Sequence, residues 1–168
     1  MRTTDLSELS DRSVLLALQE LTEEFTADAT PDTMPLDQDE AALLLSTLLR
    51  AAGQDGSAVV IPDSPAAYDA ARRLLAAFAA EPATAAVAAA VLAEPPTDSR
   101  LSGEIAVPGL VVMAAVVTWL QTQVSVHIKR RNGKTEFEFR VAKEAASAST
   151  LKELASTVTR WLGGPPRQ

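Results

Sequence analysis

Residues 124–141 read VSVHIKRRNGKTEFEFRV, and the Asn132-Gly133 pair at their centre decides the fold of the C-terminal part of the chain. Both central residues of a type I′ turn need positive φ, which Asn tolerates and Gly accepts freely, so Asn-Gly between alternating apolar residues predicts a two-residue β-hairpin. Such a turn fixes the register. Counting outward, Lys129 faces Glu136, Ile128 faces Phe137, His127 faces Glu138, Val126 faces Phe139, Ser125 faces Arg140 and Val124 faces Val141. Apolar residues meet apolar residues and Lys129 meets an opposite charge, so turn chemistry and period-2 patterning select the same pairing.

A two-stranded ribbon is marginal alone and needs a cover. The sequence supplies one on each side. The apolar segment GLVVMAAVVTWLQTQ (109–123) runs into the first strand, and STLKELASTVTRWLGG (149–164) follows the second. In the latter, Leu151, Leu154, Ala155, Val158, Trp161 and Leu162 recur at helical spacing; Thr150 with Glu153 forms a capping box and Gly163 suits the position after the helix end. The expected fold class is therefore α+β: a mostly α-helical N-terminal half, then a helix–β-hairpin–helix module. The expected division is an acidic, Ala-rich helical region over 1–100, the module over 101–164 and a tail at 165–168.

The N-terminal half reads as a series of helices. Residues 5–25 place Leu6, Leu9, Val14, Leu18, Leu21 and Phe25 near one face, predicting one amphipathic helix or two. Asp37 with Glu40 starts a helix to about residue 52, stopped by Gly53. AVVIP (58–62) is a short strand candidate, confined to an edge by its proline. Asp63-Ser64-Pro65 caps a helix over about 66–80. PATAAVAAAVLAEPP (82–96) is an Ala-rich helix between prolines, and EPPTDSRLSGE (94–104) is the expected boundary between halves.

Charge divides the same way. Residues 1–104 hold 18 acidic and 6 basic side chains (net −12), and residues 105–168 hold 4 acidic and 9 basic (net +5), making up the overall −7. Opposite signs on two parts of one chain suit modules that attract each other, or a basic surface meant for an acidic partner. Cysteine is absent, which removes disulfide frameworks, thiolate metal sites and cysteine nucleophiles. The acidic N-terminus has no apolar h-region, and a cytoplasmic location is expected.

Residues 105–128 contain no formal charge and run into Lys129-Arg130-Arg131, a pattern that resembles a membrane span with a positive flank. Pro108-Gly109 interrupts its start and Gln121-Thr122-Gln123 its end, so the uninterrupted apolar run falls short of the ~20 residues a span needs. A helix buried by its neighbours is the expected reading.

No catalytic, metal-binding or cofactor-binding residues stand out. The single histidine, His127, lies on the polar face of the ribbon opposite Glu138, where a cross-strand pair explains it. There is no GxSxG elbow, HExxH helix, phosphate loop or dinucleotide-binding turn. Lys129, Arg130, Arg131, Lys134 and Arg140 make the ribbon basic, and two-stranded ribbons enter DNA grooves. Here the aromatic residues point to the core rather than outward for stacking, which weighs against nucleic acid.

The C-terminal run from Pro108 to Leu162 resembles the effector-associated constant component family of bacterial conflict systems. Thr118-Trp119-Leu120 stands at the helix end, Val124, Val126 and Ile128 in the first strand, Asn132-Gly133 at the turn and Phe137 with Phe139 in the second strand. The resemblance implies a non-enzymatic linking component encoded with effector proteins, and brings no catalytic residue with it. The expected function is thus an interaction or adaptor protein, self-associating or binding a partner protein through the hairpin edge and the apolar helix, with no cofactor. Its expected contact residues are Trp119, Trp161, His127, Lys129, Arg130, Arg131 and Arg140. Two alternatives belong to other classes: a membrane-associated protein inserting residues 105–128, and a weak nucleic-acid-binding β-ribbon.

Overall fold

The computed structural model describes residues 5–27, 38–54, 64–94, 108–141 and 144–162. Among them are six α-helices and a three-stranded antiparallel sheet, in the order α1 (Asp11–Thr26), α2 (Gln38–Ala51), α3 (Ser64–Ala80), α4 (Ala85–Ala93), α5 (Pro108–Gln123), β1 (Ser125–Arg131), β2 (Lys134–Val141), β3 (Glu144–Ala145) and α6 (Ala148–Leu162). The fold is α+β, with a helix on each side of the hairpin as the sequence predicts. The strand candidate at 58–62, the boundary at 95–104 and the terminal cap at Gly163 lie outside the described residues.

Local chemistry sets the helix ends. The stretch expected to be helical from residue 5 instead makes a 3-10 turn over Leu6–Glu8, and α1 begins only after Ser10, whose Oγ accepts from Ser13 N at 3.1 Å. Leu6 and Leu9 still pack against the core from this turn. Arg72 of α3 holds it there: its guanidinium donates to the carbonyls of Leu6 and Leu9, the latter at 2.9 Å, and to Asp11 Oδ1 at 2.8 Å. At the end of α2, Gly53 adopts φ +81°; its N–H reaches Arg50 O at 3.0 Å and the Gln54 N–H reaches Leu49 O at 2.8 Å. This is the paired arrangement by which a left-handed residue satisfies the last helical carbonyls. Between α3 and α4 the buried Thr84 donates from Oγ1 to Phe78 O at 2.6 Å.

α5 is buried on nearly every side, from Val111 to Leu120 with only Ala114 exposed. It packs on α1, α2 and α3, so side chains of both charge halves share one continuous core that runs from Val14 to Trp161. Each fully buried Val or Leu contributes about 1.5–3 kcal/mol over leaving it in water, which explains why so apolar a segment is taken up by its own chain. Among the described residues no helix is long and apolar enough to cross a membrane.

The hairpin forms in the expected register, from Ser125 opposite Arg140 to Lys129 opposite Glu136, and continues through Arg130–Thr135 and Arg131–Lys134 to the turn. Asn132 and Gly133 both have positive φ, 51° and 76°. The ladder starts at Ser125 rather than Val124, because the Val124 N–H donates back to Leu120 O at 3.0 Å at the end of α5. β3 is a finding of the structure: Glu144 and Ala145 pair with Val141 and Arg140, and the Ala146 N–H adds a bond to Phe139 O at 3.0 Å. α6 is capped by Ser147, whose Oγ accepts from Thr150 N at 3.2 Å; the helix starts at Ala148, and Thr150 lies within its first turn.

Candidate functional site

Strand parity divides the hairpin into two faces. Val126 and Ile128 of β1 and Phe139 of β2 are buried toward the helices, with Phe137 packed against the same core. The other face carries His127, Lys129 and Arg131 of β1 beside Lys134, Glu136, Glu138 and Arg140 of β2. Of these, His127, Lys129, Arg131, Lys134 and Glu136 are exposed, and Glu138 and Arg140 are half-buried.

Arg130 belongs to the first face, not to the basic surface. Its Nε donates to Glu40 Oε1 at 2.9 Å and Oε2 at 3.2 Å, and Nη2 bonds the same carboxylate. The pair ties β1 to the first turn of α2, so the Lys129-Arg130-Arg131 run is not a continuous basic patch. Alternation along β1 could have shown this, since Arg130 shares the parity of Val126 and Ile128; the identity of its partner, 90 residues away, had no local sign.

On the solvent face the base of the hairpin is compensated and the tip is not. Arg140 Nε donates to Glu138 Oε1 at 3.0 Å, and Lys129 Nζ lies 3.9 Å from Glu138 Oε2. Lys129 therefore pairs with Glu138 on the diagonal rather than with Glu136 directly across, a reach that a long side chain on a ribbon has. The hydrogen bond from Arg140 holds the Glu138 carboxyl below its ordinary range; partial burial opposes this, and the charges of Arg140, Lys129 and His127 reinforce it. His127 stands exposed across from Glu138.

At the tip, Arg131 and Lys134 face each other directly across the strands. Both are exposed, and among the described residues neither makes an ion pair. Like charges opposed on a ladder repel, so the ribbon ends in an uncompensated cationic pair. A hollow of about 370 Å³ beside it is lined by Lys129, Arg131, Asn132, Lys134 and Glu136. Lys134, absent from the expected contact residues, is as central to this surface as Arg131.

The remaining expected contact residues are elsewhere. Trp119 of α5 is 8% exposed and Trp161 of α6 is 9% exposed. Their rings meet edge to face, with centroids 4.6 Å apart and planes at 81°, so the two join α5 to α6 inside the molecule. The outer margin of β1 is also shielded: Val126 and Ile128 are 3% and 4% exposed as whole residues, main chain included. Neither the apolar helix nor that stretch of strand edge is left bare, and the charged face with its tip is what the hairpin presents. Among the described residues, no three of His, Cys, Asp and Glu gather closely enough to hold a metal ion.

Comparison with family models, with curated proteins and with solved structures returns no match for this chain.

Proposed function

We propose that this chain is a non-enzymatic interaction component, an adaptor that binds a partner protein through the charged face and tip of its hairpin. The observation that carries this reading is the Arg131–Lys134 pair: two cations opposed on a firmly registered ribbon, in no ion pair among the described residues, beside a hollow that Glu136 also lines. Complementary charge across an interface governs encounter and partner choice more than raw affinity, so such a tip suits selective docking of an acidic surface. The burial of α5 and of both tryptophans supports a contact on this face rather than on the apolar helix. On this reading the protein works as a linking component of a bacterial multi-protein system of the effector-associated kind, in keeping with the resemblance of residues 108–162.

Immobilised full-length protein tests the reading. It should capture a discrete partner from its native lysate, and the charge reversal R131E/K134E should abolish that capture while circular dichroism stays unchanged. Equal capture by both forms would end the proposal. A gel shift with duplex or single-stranded nucleic acid at low salt, lost in the same variant, would replace the protein partner with the ribbon alternative.

A further inference from the structure

A second self-repelling pair of charges lies on the same chain, with the opposite sign. Glu20 and Glu24 stand four residues apart on the exposed face of α1, where like charges are neighbours on a helix and disfavour each other. Among the described residues neither makes an ion pair. They rim a hollow of about 410 Å³ whose floor is Ala86, Val87, Ala90 and Val91 of α4. α4 has no polar residue along its whole length, AAVAAAVLA, and leaves Ala86 and Ala90 exposed.

The hairpin tip is opposite in charge to the rim of this hollow. It is a narrow two-residue turn, Asn132-Gly133, with Arg131 and Lys134 on its shoulders. We propose that the hairpin tip of one copy seats in the α1–α4 hollow of a second copy, its two cations against Glu20 and Glu24. The inference rests on the interaction reading above and names a second copy of this chain as a partner. Each pair supplies charges of the sign that the other pairs with, and neither makes an ion pair among the described residues, so both repulsions are relieved in one contact. The two surfaces differ, so the contact is head to tail: it closes into a ring if the rotation permits and otherwise builds an open chain.

Sedimentation velocity of the full chain over a range of concentrations tests this. The expected result is a concentration-dependent series of species larger than one chain, dispersed by added salt. The neutralised tip R131S/K134S and the neutralised hollow E20Q/E24Q should each weaken association by roughly tenfold or more, with circular dichroism unchanged. An equimolar mixture of the two variants keeps one intact tip and one intact hollow, and should stop at a 1:1 pair. Should R131S/K134S lose its folded spectrum, the single substitution R131S carries the same comparison. A monomer at every concentration, association that survives either variant, or a mixture that fails to pair would each overturn the inference. A monomer whose partner capture still depends on Arg131 and Lys134 removes only the second copy; one whose capture is indifferent to them removes the interaction reading as well.

Discussion

Arg130 shows how one side chain's position is decided by parity rather than by company. It sits in a run of three cations, yet only Lys129 and Arg131 face solvent, while Arg130 turns inward to Glu40. Hairpin register was legible because it depends on residues within a few positions of the turn; the Arg130–Glu40 pair was not, because nothing near either residue announces the other. The tryptophans carry a clear energetic consequence. Trp161 fills the space beside Trp119, so Trp161→Ala should destabilise the fold by about 3–5 kcal/mol in a denaturant titration. A loss under 1 kcal/mol would mean that the ring is not core. Glu138 gives a pH dependence. Its carboxyl is held below the ordinary carboxylate range of about 4.3 by Arg140, so the folded state favours the ionised form. That contribution is fully present above the unfolded pKa and is lost as pH falls through the lower folded one. The melting-temperature difference between wild type and Glu138→Gln should therefore be constant near neutrality and shrink on acidification below about 4.3. A difference that grew toward acid would reverse the assignment.

Element ends were legible wherever a single residue type dictates the backbone. Gly53 is one such place: at φ +81° a residue with a Cβ is strained although no atom beyond its own residue and its two chain neighbours lies within 4 Å of the added carbon. Gly53→Ala should cost about 1–2 kcal/mol, measured by thermal or denaturant unfolding, purely from the left-handed backbone. An unchanged stability would mean that α2 ends in another way. Asn132-Gly133 is the other such place. β3 has no signature in the sequence because two residues are too short to show alternation; it is held by the partners that β2 offers it. The start of α6 is hard to read for a related reason: ASAST offers several hydroxyl residues for one cap, and Ser147, not Thr150, takes it.

At the scale of the whole molecule, the charge division read from the sequence coexists with a core that both charge halves share. α5 belongs to the basic part by sequence, yet it packs between α1, α2 and α3 of the acidic part. Composition marked α5 as buried; which helices would cover it depended on contacts between residues up to about a hundred positions apart, for which periodicity carries no information. Residues 101–164 expressed alone should therefore show no cooperative unfolding transition, since the faces of α5 that meet α1 and α3 would be bare. A sharp transition with the near-ultraviolet tryptophan signal intact would show that the module stands by itself. With α5 enclosed, the proposed contact lies on the charged ribbon, and its dependence on charge is the property to measure. Capture of partner by immobilised full-length protein should fall steeply between about 0.05 and about 0.5 M salt as the screening length contracts, and should be weak at all salt concentrations for R131S/K134S. Capture of equal strength across that range, in wild type and variant alike, would contradict a role for the hairpin tip.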